Sequence, residues 1–212
     1  MAPSAREQIL DAAHDLVFDR GFTGTTVDAI LEMSGTSKGA FFHHFATKGA
    51  LGKALIERYA ATDAAVLEQH MATAEARTPD PAEQLLEFLR SFEDDIEAGA
   101  ITQPGCMFAS YLYERIPDEA ESDRVILAAI ALWRARILDK LQRAVTTRPP
   151  AIPVDLETLA DHVWTVFEGG FLLGRAAGDQ LRLRDQLRHL RAYLGLLLGV
   201  DLEVTSTGRA EG

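Results

Sequence analysis

The stretch that decides the fold is residues 35–45, which read Gly35-Thr36-Ser37-Lys38-Gly39-Ala40-Phe41-Phe42-His43-His44-Phe45. Ser37 is placed to cap a helix over residues 38–44, because its hydroxyl can accept a hydrogen bond from a backbone N–H of the first turn. Gly35 ends a second short helix over residues 27–33, since glycine readily adopts the left-handed conformation that closes a helix. Two short helices joined by a tight glycine-containing turn are typical of a helix-turn-helix.

The outward face of the second helix suits the major groove of DNA. That groove is about 12 Å wide, and a helix that enters it needs short or donor-bearing side chains on its exposed face. Lys38, Gly39, Ala40 and His43 meet this need, since small residues let the backbone approach the base edges. Each residue by itself is more often ordinary solvent-exposed surface, so the prediction depends on the ordered set.

The hydrophobic periodicity is helical almost throughout the chain, and no run of alternating strand pattern appears. Gly21 follows the first periodic segment directly, and the run from Thr78 to Pro81 separates the fourth helix from the fifth. The sequence therefore predicts an all-α fold of about nine helices. They cover residues 5–20, 27–33, 38–44, 48–77, 81–98, 105–115, 119–146, 155–178 and 182–199.

Composition limits the class of protein. The chain has 212 residues, of which 47 % are hydrophobic and 25 % charged, as in an average globular protein. No apolar stretch reaches the roughly 18–20 residues of a membrane span, and the first residues lack the apolar core of a signal peptide. A single cysteine, Cys106, excludes an intramolecular disulfide framework and a Cys-cluster zinc site. We therefore predict a cytoplasmic protein with no membrane partner, cofactor or metal.

The charge distribution leaves room only for a small DNA-reading surface. The net charge is −11, which argues against binding nucleic acid through bulk positive charge. Residues 36–53 nevertheless contain three lysines and no acidic residue. Any DNA contact is therefore expected to be local.

Residues 5 to about 60 resemble the DNA-binding domain of TetR-family transcriptional regulators. The resemblance rests on residues 9–13, 21–22, 25–30 and 35–45, followed by Lys48. It implies double-stranded DNA with an inverted repeat as one partner and a second copy of the chain as another. The rest of the chain resembles the family only in the number and layout of its helices.

The resemblance also assigns roles within the helix-turn-helix. Residues 27–33 take the place of the supporting helix and residues 37–44 that of the recognition helix. Phe42 stands where the family usually has Tyr, so one hydroxyl contact to phosphate is missing, and Gly49 replaces a common Glu. The predicted DNA-binding residues are Thr25, Thr26, Thr36, Ser37, Lys38, Gly39, Ala40, Phe42, His43, His44 and Lys48, of which Thr26, His44 and Lys48 take phosphate-contact positions.

We expect two domains and a tail. Residues 1–50 form the DNA-binding domain, with the helix-turn-helix at 26–45, and the helix over 48–77 links it to the rest. Residues 51–200 form a helical domain for effector binding and dimerisation. Residues 201–212 are polar and are predicted to be disordered.

The last two predicted helices offer a candidate dimer interface. Leucines recur at spacings of four and three along residues 182–199, as in a coiled-coil seam, and glycines recur every fourth residue near the end of the preceding helix. The alternative is that both helices face their own core. The family resemblance favours a four-helix interface between two subunits. The predicted interface residues are Gly170, Gly174, Gly178, Leu187, Leu190, Leu194 and Leu197.

The middle helices offer a candidate ligand pocket. They are rich in large side chains, for which ordinary core packing is the commoner role. Glu168 and Arg175, however, share one helical face with two aromatic residues, where an unpaired buried charge would be costly. They can orient a polar group of an unknown small-molecule effector in an apolar cavity. The predicted pocket residues are Phe92, Met107, Phe108, Tyr111, Trp133, Trp164, Phe167, Glu168, Phe171 and Arg175.

Cys106 is a candidate redox sensor. It lies just after a predicted helix start, where the helix dipole lowers the pKa of a thiol and raises its reactivity. The segment also resembles a subset of TetR-family regulators with Gly-Cys at the sixth helix, some of which sense electrophiles. A buried, inert cysteine is the alternative.

Together these features predict a homodimeric repressor that a small molecule releases from a palindromic operator. A trigger by oxidation or alkylation of Cys106 is an alternative on the same scaffold. An enzyme is not expected, because no nucleophile elbow, phosphate loop or metal-spaced histidine pair appears. A helical interaction module without DNA binding is the alternative from another class.

Overall fold

The computed structural model describes residues 3–101, 103, 105–114 and 120–201. All secondary structure in this part of the chain is helical, so the predicted all-α fold is confirmed. The tail predicted to be disordered lies outside the described residues from 202 onward. The helices are α1 (Ala5–Gly24), α2 (Val27–Ser34), α3 (Lys38–His44), α4 (Lys48–Arg77), α5 (Pro81–Glu97), α6 (Met107–Glu114), α7 (Ala120–Thr147), α8 (Leu156–Ala177) and α9 (Leu181–Leu198).

Side-chain caps define the short helices. The hydroxyls of Thr26, Ser37 and Thr47 accept hydrogen bonds from the third residue after each of them, at 3.0–3.2 Å. Each bond satisfies one of the backbone N–H groups that a helix start leaves without an intrahelical partner. Gly35 closes α2 with a φ of 66°, as the sequence predicts. The turn between α2 and α3 is therefore held by local chemistry at both of its ends.

The chain has two hydrophobic cores, and they do not divide at residue 50. The first core joins α1, α2, α3 and the start of α4 to α6. The second joins the end of α4 to α5, α7, α8 and α9. Helix α4 runs through both cores, and α6 packs in the first core although it lies beyond residue 100. Trp164 and Phe171 are half-buried against both cores, so α8 lies where they meet.

The leucine seam on α9 faces the chain's own core, which corrects the predicted dimer interface. Leu187, Leu190, Leu194 and Leu197 are at most 3 % exposed in the single chain. They pack in the second core because α9 lies against both α5 and α8. Periodic leucines show that a helix buries one face, but not whether the covering surface belongs to the same subunit.

The glycines of α8 serve the same internal packing. A Cβ at Gly170 would lie 2.5 Å from Leu183 Cδ1, and one at Gly174 would lie 3.3 Å from the carbonyl oxygen of Asp179. Both glycines are buried, so they bring α9 close to α8 rather than bringing two subunits together. Gly178 instead closes α8 with a φ of 63°, a conformation that favours glycine.

The opposite faces of α8 and α9 leave large apolar side chains in solvent. Leu172 and Leu196 are 68 % and 77 % exposed, and Leu173 and Tyr193 are also exposed. Gly170 of α8 meets Leu183 of α9, and Tyr193 lies beside Leu159 and His162, so the two helices run antiparallel. Leu172 and Leu173 therefore lie at the opposite end of the helix hairpin from Tyr193 and Leu196.

Candidate functional site

Helix α3 is oriented by two buried rings. Phe41 is fully buried and Phe45 is 3 % exposed, and both pack in the first core. The Arg6 guanidinium lies 5.6 Å from the centre of the Phe45 ring and covers it from α1. Because one side of α3 is buried in this way, Lys38 and His43 lie on the opposite, exposed side.

Most of the predicted DNA-binding residues share this exposed surface. Ala40 and Thr36 are half-buried, and the Thr36 hydroxyl lies 2.8 Å from the hydroxyl of Ser34. The surface is built of small and polar side chains, apart from the ring of Phe42. The exposed members are Thr26, Ser37, Lys38, Gly39, Phe42, His43 and His44.

Thr25 does not belong to the DNA-reading surface, which corrects its predicted role. Its side chain is 1 % exposed, and its hydroxyl donates to the carbonyl oxygen of Gly21 at 2.7 Å. Thr25 therefore closes the end of α1, where carbonyl groups lack intrahelical partners. Its neighbour Thr26 keeps an exposed side chain.

Lys48 bridges α4 and the end of α1. Its ammonium group donates to the carbonyl oxygen of Phe22 at 2.6 Å and lies 4.5 Å from the centre of the Phe22 ring. Lysine has three N–H donors, so a phosphate contact remains a prediction. The structure adds a second role, which is to attach the start of α4 to the end of α1. We call helices α1, α2 and α3 the reading head.

Two further side chains hold the same end of α1. The carboxylate of Glu114, at the end of α6, accepts hydrogen bonds from the backbone N–H groups of Phe22 and Thr23 at 2.8 and 2.5 Å. Burial opposes the Glu114 charge, but these bonds and nearby Lys48 outweigh it and lower the pKa of Glu114. Glu114 also crowds Gly21, whose φ of 77° breaks α1 at this point.

Arg175 on α8 also holds the end of α1, beside Lys48 and Glu114. This position corrects its predicted place in the pocket. Its guanidinium donates to the carbonyl oxygens of Phe18 and Asp19 at 3.2 and 3.3 Å. A positive charge there is favourable, because the C-terminal end of a helix carries partial negative charge. Arg175 lines a neighbouring cavity of about 250 Å³, beside Phe171.

A cavity of about 270 Å³ lies among α4, α5, α7 and α8, and we call it the aromatic cavity. Six of the predicted pocket residues line it, together with residues that sequence reasoning assigned elsewhere or did not single out. The six are Phe92, Trp133, Trp164, Phe167, Glu168 and Phe171. The other lining residues include Tyr59, Asp63, His70, Asp95, Gln103 and Cys106.

Three other predicted pocket residues lie outside the aromatic cavity. Met107, Phe108 and Tyr111 are at most 3 % exposed and pack in the first core. The Tyr111 ring lies 5.1 Å from that of Phe22, and the Phe108 ring lies 4.8 Å from that of Tyr59. They join α6 to the reading head because α6 turns its apolar face towards α1.

Two of the carboxyl groups that line the aromatic cavity, those of Asp63 and Glu168, are largely buried. Burial raises the pKa of Asp63 from 3.8 to about 6, although its Oδ2 accepts a hydrogen bond from Trp133 Nε1 at 2.7 Å. Burial also raises the pKa of Glu168, the thiol of Cys106 lowers it in part, and the negative charge of Asp63 raises it further. The negative charge of Asp63 therefore makes Glu168 harder to ionise.

The Cys106 thiol is less acidic than the sequence predicts. Burial raises its pKa well above 9.0, and the negative charge of Glu168 adds to the effect. The backbone N–H groups of Phe108 and Ala109 favour the thiolate, but their influence is smaller. Because the thiolate is the reactive form, this environment opposes the predicted sensor role.

Asp63 and Tyr59 are two of the cavity residues that sequence reasoning missed. They lie four residues apart on α4, so they share a helix face, and this spacing was available as a signal. Periodicity assigns Tyr59 equally well to a core or to a cavity wall. Only the packing of α7 and α8 shows that this face of α4 lines a space.

Within the described ranges, no group of three or more His, Cys, Asp or Glu side chains is placed to hold a metal ion. No helix in that same part of the chain is long and apolar enough to cross a membrane.

Comparison with known proteins confirms the resemblance seen in the sequence. Residues 9–55 match the family described as bacterial regulatory proteins, tetR family. The transcriptional regulator AcuR of Cereibacter sphaeroides is 25 % identical over 173 residues, which cover 81 % of this chain and 76 % of AcuR. The repressor NemR of Escherichia coli is 39 % identical over 54 residues, about a quarter of each chain. These relatives are transcriptional regulators rather than enzymes.

Solved structures share the fold over most of the chain. The regulatory protein TetR from Rhodobacter sphaeroides superposes with a TM-score of 0.74 at 23 % identity, covering 89 % of this chain and 98 % of that one. The reduced form of Escherichia coli NemR superposes with a TM-score of 0.70 at 19 % identity, covering 89 % and 95 %. The C-terminal helices, which the family match does not reach, therefore follow the same architecture.

Asp63→Asn is expected to stabilise the protein at neutral pH. A carboxyl group whose pKa rises on folding makes the native state less stable as the pH increases from 3.8 to about 6. Asparagine removes this cost and can still accept the Trp133 hydrogen bond. The difference between these two pKa values corresponds to about 3 kcal/mol, so we expect the free energy of unfolding to rise by about 1–3 kcal/mol at neutral pH.

The measurement is urea unfolding at neutral pH and at about pH 4, where the gain should vanish. Asp139→Asn on the exposed side of α7 is the control, and its effect should not change between the two conditions. A gain that is the same at both pH values would contradict the assigned burial of Asp63.

Proposed function

The chain carries the DNA-binding domain of the TetR family of bacterial regulatory proteins, and from this premise we propose a homodimeric repressor that a small-molecule effector releases from DNA. The family makes it a DNA-binding transcriptional regulator. The dimer, a palindromic operator, the effector and a cytoplasmic location are the finer parts of the proposal.

The exposed surface of α3 carries the proposal. Buried Phe41 and Phe45 fix the helix, and Lys38, Gly39 and His43 project away from the protein. A two-turn helix with small residues on its outer side fits the major groove, and Lys38 can donate to a base or a phosphate. Thr26 and His44 lie at the edges of this surface, where phosphate contacts would fix the register on DNA.

The exposed apolar faces of α8 and α9 support a dimer. Leu172 and Leu173 near the end of α8 and Leu196 near the end of α9 extend into solvent, and large exposed apolar side chains are often covered at an interface. Two copies packed face to face through these helices would form a four-helix interface with two-fold symmetry. The two recognition helices would then read inverted half-sites one helical turn of DNA apart or a multiple of it.

The aromatic cavity connects to the reading head through three helices. Helix α4 carries Asp63 in the cavity wall and Lys48 at its start, and α8 carries Glu168 in the wall and Arg175 near its end. Helix α6 begins beside Cys106 and ends at Glu114, about 12 Å away at 1.5 Å per residue. A ligand that shifts any of these helices would therefore move the end of α1.

Release requires only a small displacement. Two half-sites on DNA have a fixed separation, so a changed distance between recognition helices prevents simultaneous binding. The ligand must prefer the DNA-free form by the same factor by which it weakens DNA binding. The alternative trigger, modification of Cys106, is disfavoured by the raised pKa of its thiol.

The first test is sequence-specific DNA binding by the full chain. Duplexes selected from a random pool should share an inverted repeat. Lys38→Ala should weaken binding to the selected site by about 1–3 kcal/mol, since Lys38 projects from the recognition helix. Lys53→Ala is the control, because Lys53 on α4 pairs with Glu57 and Glu121.

Gel-shift titrations at several salt concentrations measure both affinities. Failure to select any duplex would leave a helical module without DNA binding as the better description. Selected sites without inverted symmetry would contradict the dimeric arrangement on DNA.

Leu196→Arg should dissociate the dimer. The side chain is 77 % exposed in the single chain, so arginine costs the monomer little, but at the interface it would bury an unpaired charge. Leu127→Arg is the matched control, because Leu127 is 61 % exposed on α7. Light scattering should show half the mass for Leu196→Arg alone, and an unchanged mass would move the interface away from this face.

Glu114→Ala should loosen the end of α1. Hydrogen bonds to a charged group are worth about 1.5–3 kcal/mol, so the amides of Phe22 and Thr23 should exchange about tenfold faster or more. Exchange measured on these amides tests this, with Glu57→Ala as a control, because exposed Glu57 pairs with the Lys53 side chain. Equal protection in both variants would show that Glu114 does not hold this segment.

A further inference from the structure

The walls of the aromatic cavity consist largely of aromatic rings. Trp133 lies at the centre, with its ring 5.6 Å from that of Trp164 and 5.4 Å from that of Phe167. Phe92 lies 5.0 Å from Phe167 and 5.9 Å from Trp133. The faces of aromatic rings carry partial negative charge and attract cations within about 6 Å.

Asp63 and Glu168 form no ion pair with Arg, Lys or His within the described part of the chain. Asp63 accepts a hydrogen bond from Trp133 Nε1, and Glu168 pairs with the Cys106 thiol. Most of the other partly buried acidic residues described pair with Arg or Lys. Ionising Asp63 and Glu168 therefore costs free energy that these two hydrogen bonds offset only in part.

The remaining titratable groups at the cavity do not make the charge of its lining positive. His70 donates or accepts at Ser91 Oγ, 2.7 Å away, and its Nε2 lies 3.4 Å from a carboxylate oxygen of Asp95. Burial lowers the pKa of His70, which favours the neutral ring, and Asp95 opposes this only in part. Among the described residues that line the cavity there is no Lys or Arg.

We propose that the aromatic cavity binds a small organic cation, such as a quaternary or protonated amine on an apolar body, with its charge between Asp63 and Glu168 and its body against the rings. The biological meaning rests on the proposed ligand-released regulator, but the binding itself can be tested without DNA. Three observations support this proposal: the cavity, its aromatic walls, and the two carboxyl groups without an ion-pair partner in the described chain.

Size and charge narrow the class further. A volume of about 270 Å³ is near the lower end of the roughly 300–1,000 Å³ of small-molecule sites, so it favours a compact ligand. An anion would face two carboxylates without a compensating donor of positive charge. A neutral ligand would leave the cost of ionising both carboxylates in place, whereas a cation removes it.

The test uses three probes of similar shape and different charge. They are phenyltrimethylammonium, its neutral isostere tert-butylbenzene, and the anion 4-tert-butylbenzoate. The chain has two tryptophans, Trp133 and Trp164, and both line the cavity, so intrinsic fluorescence reports on this site alone. The cation should quench this fluorescence saturably and bind at least about tenfold more tightly than either other probe.

Neutral variants show whether the carboxylates cause this preference. Asp63→Asn and Glu168→Gln keep the shape of each side chain. Each should weaken binding of the cation about tenfold, while tert-butylbenzene should bind as tightly as before or more tightly. Asp139→Asn removes one negative charge from the exposed side of α7 and should leave all three probes unaffected. Thermal unfolding of each variant verifies that the fold persists.

Three outcomes would overturn the proposal: equal or tighter binding of the neutral or anionic probe, a cation preference that survives in both variants, or no quenching by the cation at millimolar concentration. A gel shift on a selected duplex separates this proposal from the repressor function. Tight cation binding without DNA release would leave the cavity assignment standing and refute release through it. Release of DNA by a neutral or anionic probe would support release through the cavity and would contradict its assignment to a cation.

Discussion

The end of α1 is the point on which the two halves of this protein depend. Lys48, Glu114 and Arg175 come from α4, α6 and α8, and each bonds to backbone groups between Phe18 and Thr23. These backbone groups need such partners, because the last carbonyls of a helix and the turn after it lack intrahelical hydrogen bonds. The end of α1 is therefore held by charged side chains from three other helices, of which α8 belongs to the second core.

This arrangement joins DNA recognition to the cavity without a flexible linker. Helix α4 runs through both hydrophobic cores, and α6 belongs to the core of the reading head rather than to the second core. In the proposed mechanism, a change in the packing of the cavity wall would be transmitted along these helices, since packed interiors do not deform gradually. The domain boundary expected at residue 50 therefore does not separate two independent cores.

Charge differs between the helix-turn-helix surface, the aromatic cavity and the rest of the chain. The chain is acidic overall, and most of its acidic groups pair with Arg or Lys on its surface. The helix-turn-helix surface has local positive charge, whereas Asp63 and Glu168 in the cavity form no ion pair with a basic residue of the described chain. Such buried carboxylates lower the stability of the empty protein, a cost that proteins commonly accept at binding sites.

The sequence by itself determined the helices, their caps and the helix-turn-helix, because these depend on local periodicity and on residues such as Ser37 and Gly35. It also predicted the resemblance to TetR-family regulators through the ordered set of residues around α3, and residues 9–55 match that family. What covers each helix face was decided only by the tertiary structure, since a periodic face does not specify its partner. For this reason the leucines of α9 proved to face their own core, Arg175 proved to bind the end of α1, and burial outweighed the helix dipole at Cys106.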